Sequence, residues 1–138
     1  MAPAKLLDTD ICIQVLRGVP GAVQRIAAEL AGGEIFISVI TAFELVYGAE
    51  KSPRAPEELT KIRRFIAGGP RTAPFTTEDA ESAGRIRATL ARRGEMIGAY
   101  DMLIAGQGLA RDWTVVTANT REFARVEGLR LEDWRERR

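Results

Sequence analysis

Short apolar runs alternate with helix-patterned stretches along this chain, and an acid stands where run gives way to helix. LLD at 6–8, IFISVITAFE at 35–44 and VVTANTRE at 115–122 each carry an acid just beyond the apolar segment: Asp8, Glu44 and Glu122. A fourth, Asp101, opens the helical stretch after MIGAY. Strand–helix alternation restricts the fold to an α/β class in which a mainly parallel sheet is covered on both faces. The chain therefore reads as one domain over 1–138, a single-domain α/β/α sandwich with a mainly parallel central sheet. Sheets of this kind present ligand sites beyond the carboxyl ends of their strands, which is where the pattern puts the acids.

Residues 5–7 read as the first strand and 9–17 as a short helix, broken by Gly18 and Pro20. Residues 21–31 space Val23, Ile26, Ala27 and Leu30 as a second helix, closed by Gly32 and Gly33. The β-branched and aromatic stretch 34–39 reads as the second strand. Thr41 and Glu44 have the spacing of a capping box, opening a helix to about residue 50. Residues 57–67 form another helix, whose apolar side reads as core. A weak strand at 72–75 precedes a long helix, capped by Thr77 and stopped by Gly94. Helical spacing returns at 100–110. The clearest late strand is 113–117, followed by a helical turn at 119–125 and a small edge strand at 129–131.

Composition removes whole classes of chemistry. The chain has 138 residues, no histidine and one cysteine. Without histidine there is no Ser-His-Asp triad, no histidine general base and no histidine-ligated zinc. Cys12 has no partner for an internal disulfide and reads as a small buried hydrophobe. With 46% hydrophobic residues the chain is built to fold, yet no apolar run approaches a membrane span. A charged residue follows almost at once after the start, so no signal peptide is expected and the location reads as cytoplasmic. Net charge is only +1, so bulk charge does not mark a nucleic-acid binder. The basic residues are mostly arginines: Arg63 and Arg64, Arg85, Arg87, Arg92 and Arg93, and the tail Arg135, Arg137 and Arg138. Arginine's planar fork suits phosphate, although solvated helix faces explain such residues equally well.

Each acid has an ordinary structural role open to it: Asp8 as a helix cap, Glu44 as the capping-box partner of Thr41, Asp101 as a first-turn acid favoured by the helix dipole, Glu122 as a partner of Asn119. Those roles do not explain why Glu44 and Asp101 stand in apolar surroundings, AFELVYG and GAYDMLIAG. A partly buried carboxylate requires a partner. With no histidine and few lysines nearby, a hard divalent cation, Mg²⁺ or Mn²⁺, is the economical one. Such an ion relieves the mutual repulsion of packed acids, activates water and neutralises phosphoryl charge. Thr117 and Asn119, at the end of the last strong strand, can orient water or the acids, or simply end the strand and cap the next helix. Asp10 completes an Asp-x-Asp pair with Asp8; a plain first-turn role is slightly favoured for it over an outer metal contact.

Taken together, LLDTDI at 6–11, ISVITAFELVYGAEKS at 37–52, IGAYDMLIAG at 97–106 and VTANTREFARVEGL at 116–129 resemble the four blocks of the PIN-domain family, in particular its VapC toxins of bacterial toxin–antitoxin pairs. The resemblance implies a homodimeric endoribonuclease dependent on Mg²⁺ or Mn²⁺, held inactive by a small VapB-type antitoxin that can insert an arginine among the acids. It carries the catalytic set onto Asp8, Glu44, Asp101 and Glu122, with Asp8, Asp101 and Glu44 as metal ligands and Thr117 and Asn119 assisting. Many PIN domains have an Asp where this chain has Asn119, which leaves the fourth charge to Glu122. The TREFARVEGL form resembles toxins that cut initiator tRNA in its anticodon loop. Lys51, Arg85, Arg87 and Arg92 are candidates for holding RNA phosphates.

Three other functions fit parts of the pattern. A phosphatase with an aspartyl nucleophile would use Asp8 and Asp10, but it requires a downstream lysine, and no lysine follows Lys61. A receiver-like signalling domain requires a late lysine and a middle-strand phosphoacceptor, neither of which is evident. A PIN-fold RNA-binding module with a weak site is the remaining alternative, favoured by Asn119.

Overall fold

The computed structural model describes residues 3–135; Arg137 and Arg138 of the basic tail lie outside them. The sheet has five strands: β1 Lys5–Leu7, β2 Ile35–Ser38, β3 Arg71–Ala73, β4 Thr114–Val116 and β5 Arg130–Glu132. Their order is β3-β2-β1-β4-β5, and every neighbouring pair is parallel. Among the described residues seven helices connect or follow them: α1 Thr9–Leu16, α2 Pro20–Gly32, α3 Val39–Glu50, α4 Ala55–Gly68, α5 Thr77–Arg93, α6 Ala99–Ala110 and α7 Thr120–Phe123.

Strand alternation splits the apolar residues between two cores. Leu6 is paired with Val115 in the β1–β4 register, and both enter the core built with Ile86, Leu90, Met102 and Ile104 of α5 and α6. The next pair, Leu7 and Val116, enters the opposite core with Ile35, Ile37, Ile11, Cys12, Ile26, Leu45 and Ile62. Both faces of the sheet are thereby covered, as the strand–helix alternation requires.

Helix α6 carries Asp101, and its approach to α5 is set by glycine. A Cβ on Gly106 would fall 2.6 Å from the Ala83 Cβ and 2.7 Å from the Ala83 backbone nitrogen. The two helices thus meet with almost no side chain between them at this point.

Two helix starts differ from the sequence expectation. Helix α3 begins before Thr41: Ser38 is its N-cap and its hydroxyl accepts from the Ile40 amide. Thr41 lies inside the helix, fully buried, so it forms no capping box with Glu44. Ser38 ends β2, and one residue ends the strand and caps the helix, a possibility that hydrophobic periodicity does not reveal. Likewise Thr76, not Thr77, caps α5, in a reciprocal box with Asp79. Gly94 ends that helix in the left-handed region, φ 66°. Helix α4 contributes Ile62 to the core, with Leu59, Phe65 and Ile66 packed partly buried around it.

Candidate active site

The chain leaves β1 toward β2 and β3 on one side, then returns to place β4 on the other. The crevice at the carboxyl ends of β1 and β4 is therefore the switch point of the sheet, the place where open α/β sheets hold ligands. Asp8 follows β1 directly and Thr117 follows β4 directly. The Asp8 amide donates to the Val116 carbonyl at 2.8 Å, extending the ladder by one bond. The Thr117 hydroxyl donates to Asp8 Oδ2 at 2.8 Å, and the Asn119 amide donates to the Thr117 oxygen at 2.9 Å.

Asp8 is only 4% exposed. Its Oδ1 accepts from the Thr9 amide at 2.8 Å, capping α1. Burial, then the negative charges of Asp10 and Asp101, push its carboxyl up to about 7, against the pull of the Thr117 and Thr9 hydrogen bonds. Asp101 lies in the first turn of α6, its carboxylate turned back so that a Cβ on Gly98 would be 3.3 Å from Oδ2. Burial raises it to about 6, with Glu122, Glu44 and Asp10 adding repulsion. The charges that perturb Asp8 and Asp101 come together from four separate elements, α1, α3, α6 and α7. Their convergence is the direct sign that the dispersed acids share one region.

Glu44 projects from α3 and accepts from the Thr9 hydroxyl at 2.7 Å; that hydroxyl lies 3.1 Å from the hydroxyl of Thr41. Asn119 bridges the last two acids. Its Nδ2 is 3.0 Å from Glu122 Oε2 and 3.5 Å from Asp101 Oδ2, so one neutral amide stands between two carboxylates. All six sequence candidates, Asp8, Glu44, Asp101, Glu122, Thr117 and Asn119, fall in this crevice.

Two neighbours carry more than the sequence suggested. Asp10 is not a plain first-turn acid: its Oδ2 accepts from the Ala118 amide at 3.1 Å, across the crevice. Its Oδ1 is buried with no hydrogen-bond partner, and burial raises its carboxyl above the ordinary range. Thr9 links Glu44 to α1. The Asp-x-Asp spacing marked Asp10; nothing in the chain marked Thr9, because its role depends on where α3 crosses. Cys12 is fully buried and burial raises its thiol further, which removes it as a nucleophile.

The donor set fits a hard divalent ion by charge and ligand type: carboxylate oxygens throughout, one of them buried and unsatisfied. Among the described residues no three acids are gathered closely enough to enclose an ion directly. The fit is to an ion that keeps part of its water shell, as Mg²⁺ does.

Beside the acids runs a cleft of about 930 Å³, lined by Thr9 and Glu44 and by Ile13, Leu16, Leu45 and Ile62. Lys51 lines it, as do Arg17 and Lys61, which the sequence did not single out. Arg85 lines a separate hollow of about 270 Å³ between α5 and α6. Arg87 and Arg92 are exposed on α5 and line neither.

A sequence profile described as "PIN domain" matches residues 5–129. The tRNA(fMet)-specific endonuclease VapC of Shigella flexneri is 43% identical over 129 residues, covering 94% of this chain and 96% of that protein. Ribonuclease VapC2 of Rickettsia felis is 33% identical over 130 residues, with the same coverage of 94% and 96%. Among solved structures, DNA-bound VapBC from Salmonella typhimurium superposes with a TM-score of 0.89 at 39% identity, over 97% of this chain and 99% of that one.

Proposed function

The chain belongs to the PIN-domain family, and from that premise we propose that it is a VapC-type toxin: an endoribonuclease that uses a divalent metal, Mg²⁺ or Mn²⁺, at the β1–β4 crevice. The observation that carries the reading is the convergence of Asp8, Asp10, Glu44, Asp101 and Glu122, reflected in carboxyls held up to about 7 at Asp8 and about 6 at Asp101. Acids that repel one another inside a folded protein are stabilised by a cation. When bound, the ion supplies a more acidic water and neutralises charge on the scissile phosphate.

The residues divide the remaining work. Asp8, Asp101 and Glu44 hold the ion, directly or through water, and the unsatisfied Asp10 oxygen offers a further contact. Glu122 adds negative charge on the α7 side. Thr117 fixes Asp8 by donating to Oδ2, and Thr9 fixes Glu44 by donating to Oε1, so neither carboxylate swings freely. Asn119 spaces Asp101 from Glu122 and can orient a water between them. Initiator tRNA is the substrate suggested by similarity to the tRNA(fMet)-specific relatives, and its anticodon loop supplies the unpaired nucleotides a cleft of this kind admits.

Two partners accompany the reading. A small antitoxin of the VapB kind keeps the enzyme silent, and an arginine placed among the acids would supply the missing positive charge. A homodimer forms over the exposed apolar strip of Val39, Phe43 and Val46 on α3 with Met96 and Tyr100, each between 37% and 52% exposed. That strip, in which Phe43 and Tyr100 pack edge to face, is a reason for self-association. Among the described residues no helix is long and apolar enough to cross a membrane.

The decisive experiment incubates a labelled tRNA pool with the protein in Mg²⁺, in EDTA, and with the Asp8→Asn variant in Mg²⁺. Cutting in the first and none in the others is expected. Equal cutting in all three removes the metal site. RNA affinity without cutting, under any divalent ion, identifies a binding module in place of a nuclease.

A further inference from the structure

Helix α3 presents more than Glu44 to the crevice. Tyr47 and Lys51 lie three and seven residues further on, so all three share one stripe of the helix and follow one another along the cleft. Tyr47 is 58% exposed. The Lys51 ammonium stands 4.8 Å from the centre of its ring. A ring more than half exposed, with a cation over one of its faces and the other left for a base, and an acidic site one turn away together match how unpaired nucleotides are held, by base stacking and phosphate pairing.

We propose that Tyr47 is a base-stacking residue for a nucleotide next to the scissile phosphate, with Lys51 holding that nucleotide's backbone. The proposal rests on the endoribonuclease reading and deepens it by naming a substrate subsite. Charge decides for RNA over a protein segment. Away from Glu44 the cleft carries Arg17, Lys51 and Lys61 against a single further acid, Glu58, and Glu58 is paired with Lys61 at 3.7 Å. The excess is positive, in the same cleft that Glu44 lines. The apolar residues Ile13, Leu16, Leu45 and Ile62 are partly or fully buried in the neighbouring core; Phe43 and Tyr100 also line the cleft but pack edge to face on each other at 5.5 Å, which leaves Tyr47 as the most exposed ring there.

A hairpin RNA carrying 2-aminopurine in its loop tests this with the full-length protein in EDTA, where nothing is cut. Binding to wild type and to Tyr47→Phe should quench the fluorescence. Tyr47→Leu, which keeps an apolar side chain but has no π face, should lose the quench and bind on the order of 10-fold more weakly. Lys51→Ala should weaken binding and leave the quench. In Mg²⁺, Tyr47→Leu should raise KM by a similar factor with kcat held. Wild-type affinity and quench in Tyr47→Leu overturn the proposal; so does a variant that loses only its grip on an antitoxin-type partner, since the surface would then serve protein. If wild type quenches through Tyr47 but cuts no RNA in any divalent ion, the nuclease reading fails and the stacking subsite stands.

Discussion

An aspartate held near pH 7 is a mixture of charged and neutral forms under ordinary conditions, and Asp8 is in that state because it is buried beside Asp10 and Asp101. Below its ordinary value of 3.8 it is neutral in both the folded and the unfolded chain. Between 3.8 and about 7 the folded chain keeps a proton that the unfolded chain has released, and Asp101 behaves alike up to about 6. Stability of the ion-free protein therefore falls as pH rises through that window. Melting in EDTA should show a Tm that declines from pH 5 to 7.5, and a divalent ion should flatten the decline. A Tm that climbs across the same range would contradict the crowding of these acids. Asp8→Asn removes the charge but keeps a capping oxygen for the Thr9 amide, with its Nδ2 then donating to the Thr117 hydroxyl where Asp8 accepted from it. It should lower cleavage by at least about 100-fold, the scale of losing one preorganised electrostatic contact, while raising Tm in EDTA at pH 8 on the order of 3 °C. The gathering of Asp8, Glu44 and Asp101 at one crevice was legible from sequence because ordinary capping roles leave the apolar surroundings of Glu44 and Asp101 unexplained. Thr9 and the true weight of Asp10 were not, since both depend on side-chain direction across elements far apart in the chain.

Among the elements, α6 has the least room to move. Alanine at Gly106 would gain up to about 1 kcal/mol of helix propensity. It would also drive a methyl to within 2.7 Å of the Ala83 backbone, and overpacking against atoms that cannot rotate away costs typically about 1–3 kcal/mol. The clash should win, so Gly106→Ala is expected to lower Tm by several degrees in thermal melts. It should also reduce cleavage, because α6 carries Asp101. An unchanged Tm would mean that α5 and α6 separate easily. The periodicity of the chain located both helices to within a residue or two but not this contact, since a glycine in a helix looks the same whether it faces solvent or another backbone. The start of α3 was misplaced for a related reason. The threonine–glutamate spacing looks like a cap, but Ser38, three residues earlier, takes that role and Thr41 is buried inside the helix.

Over the whole molecule, positive and negative charge nearly cancel, and what matters is where the excess sits. Arg111 is committed to buried Asp79 at 2.8 Å. Although burial works against the charge of Asp79, the Arg111 fork outweighs it and holds the carboxyl below its usual range. Lys5 and Arg25 are committed to Glu29 and Glu132, tying α2 to both β1 and β5. The cleft keeps Arg17, Lys51 and Lys61. If those three carry the phosphate contacts, log affinity for single-stranded RNA against log salt concentration should have a slope of about −2. A slope near about −6 would require a much wider basic surface, one that includes the α5 arginines. The parallel sheet, with acids beyond the carboxyl ends of its strands, was legible from the strand–helix rhythm; the strand order that makes β1 and β4 the switch point was not. The cleft was not, because it is made where α1, α3 and α4 approach one another, and each helix shows only an ordinary mixed surface.

The unsatisfied oxygen of Asp10 and the raised carboxyl of Asp8 also bear on lifetime. A copy with no counter-cation, metal or guanidinium, should open more readily at the junction of its two central strands and meet proteases sooner. Turnover would then act as a sorting step, removing solitary copies while sparing those already armed with an ion or restrained by a partner.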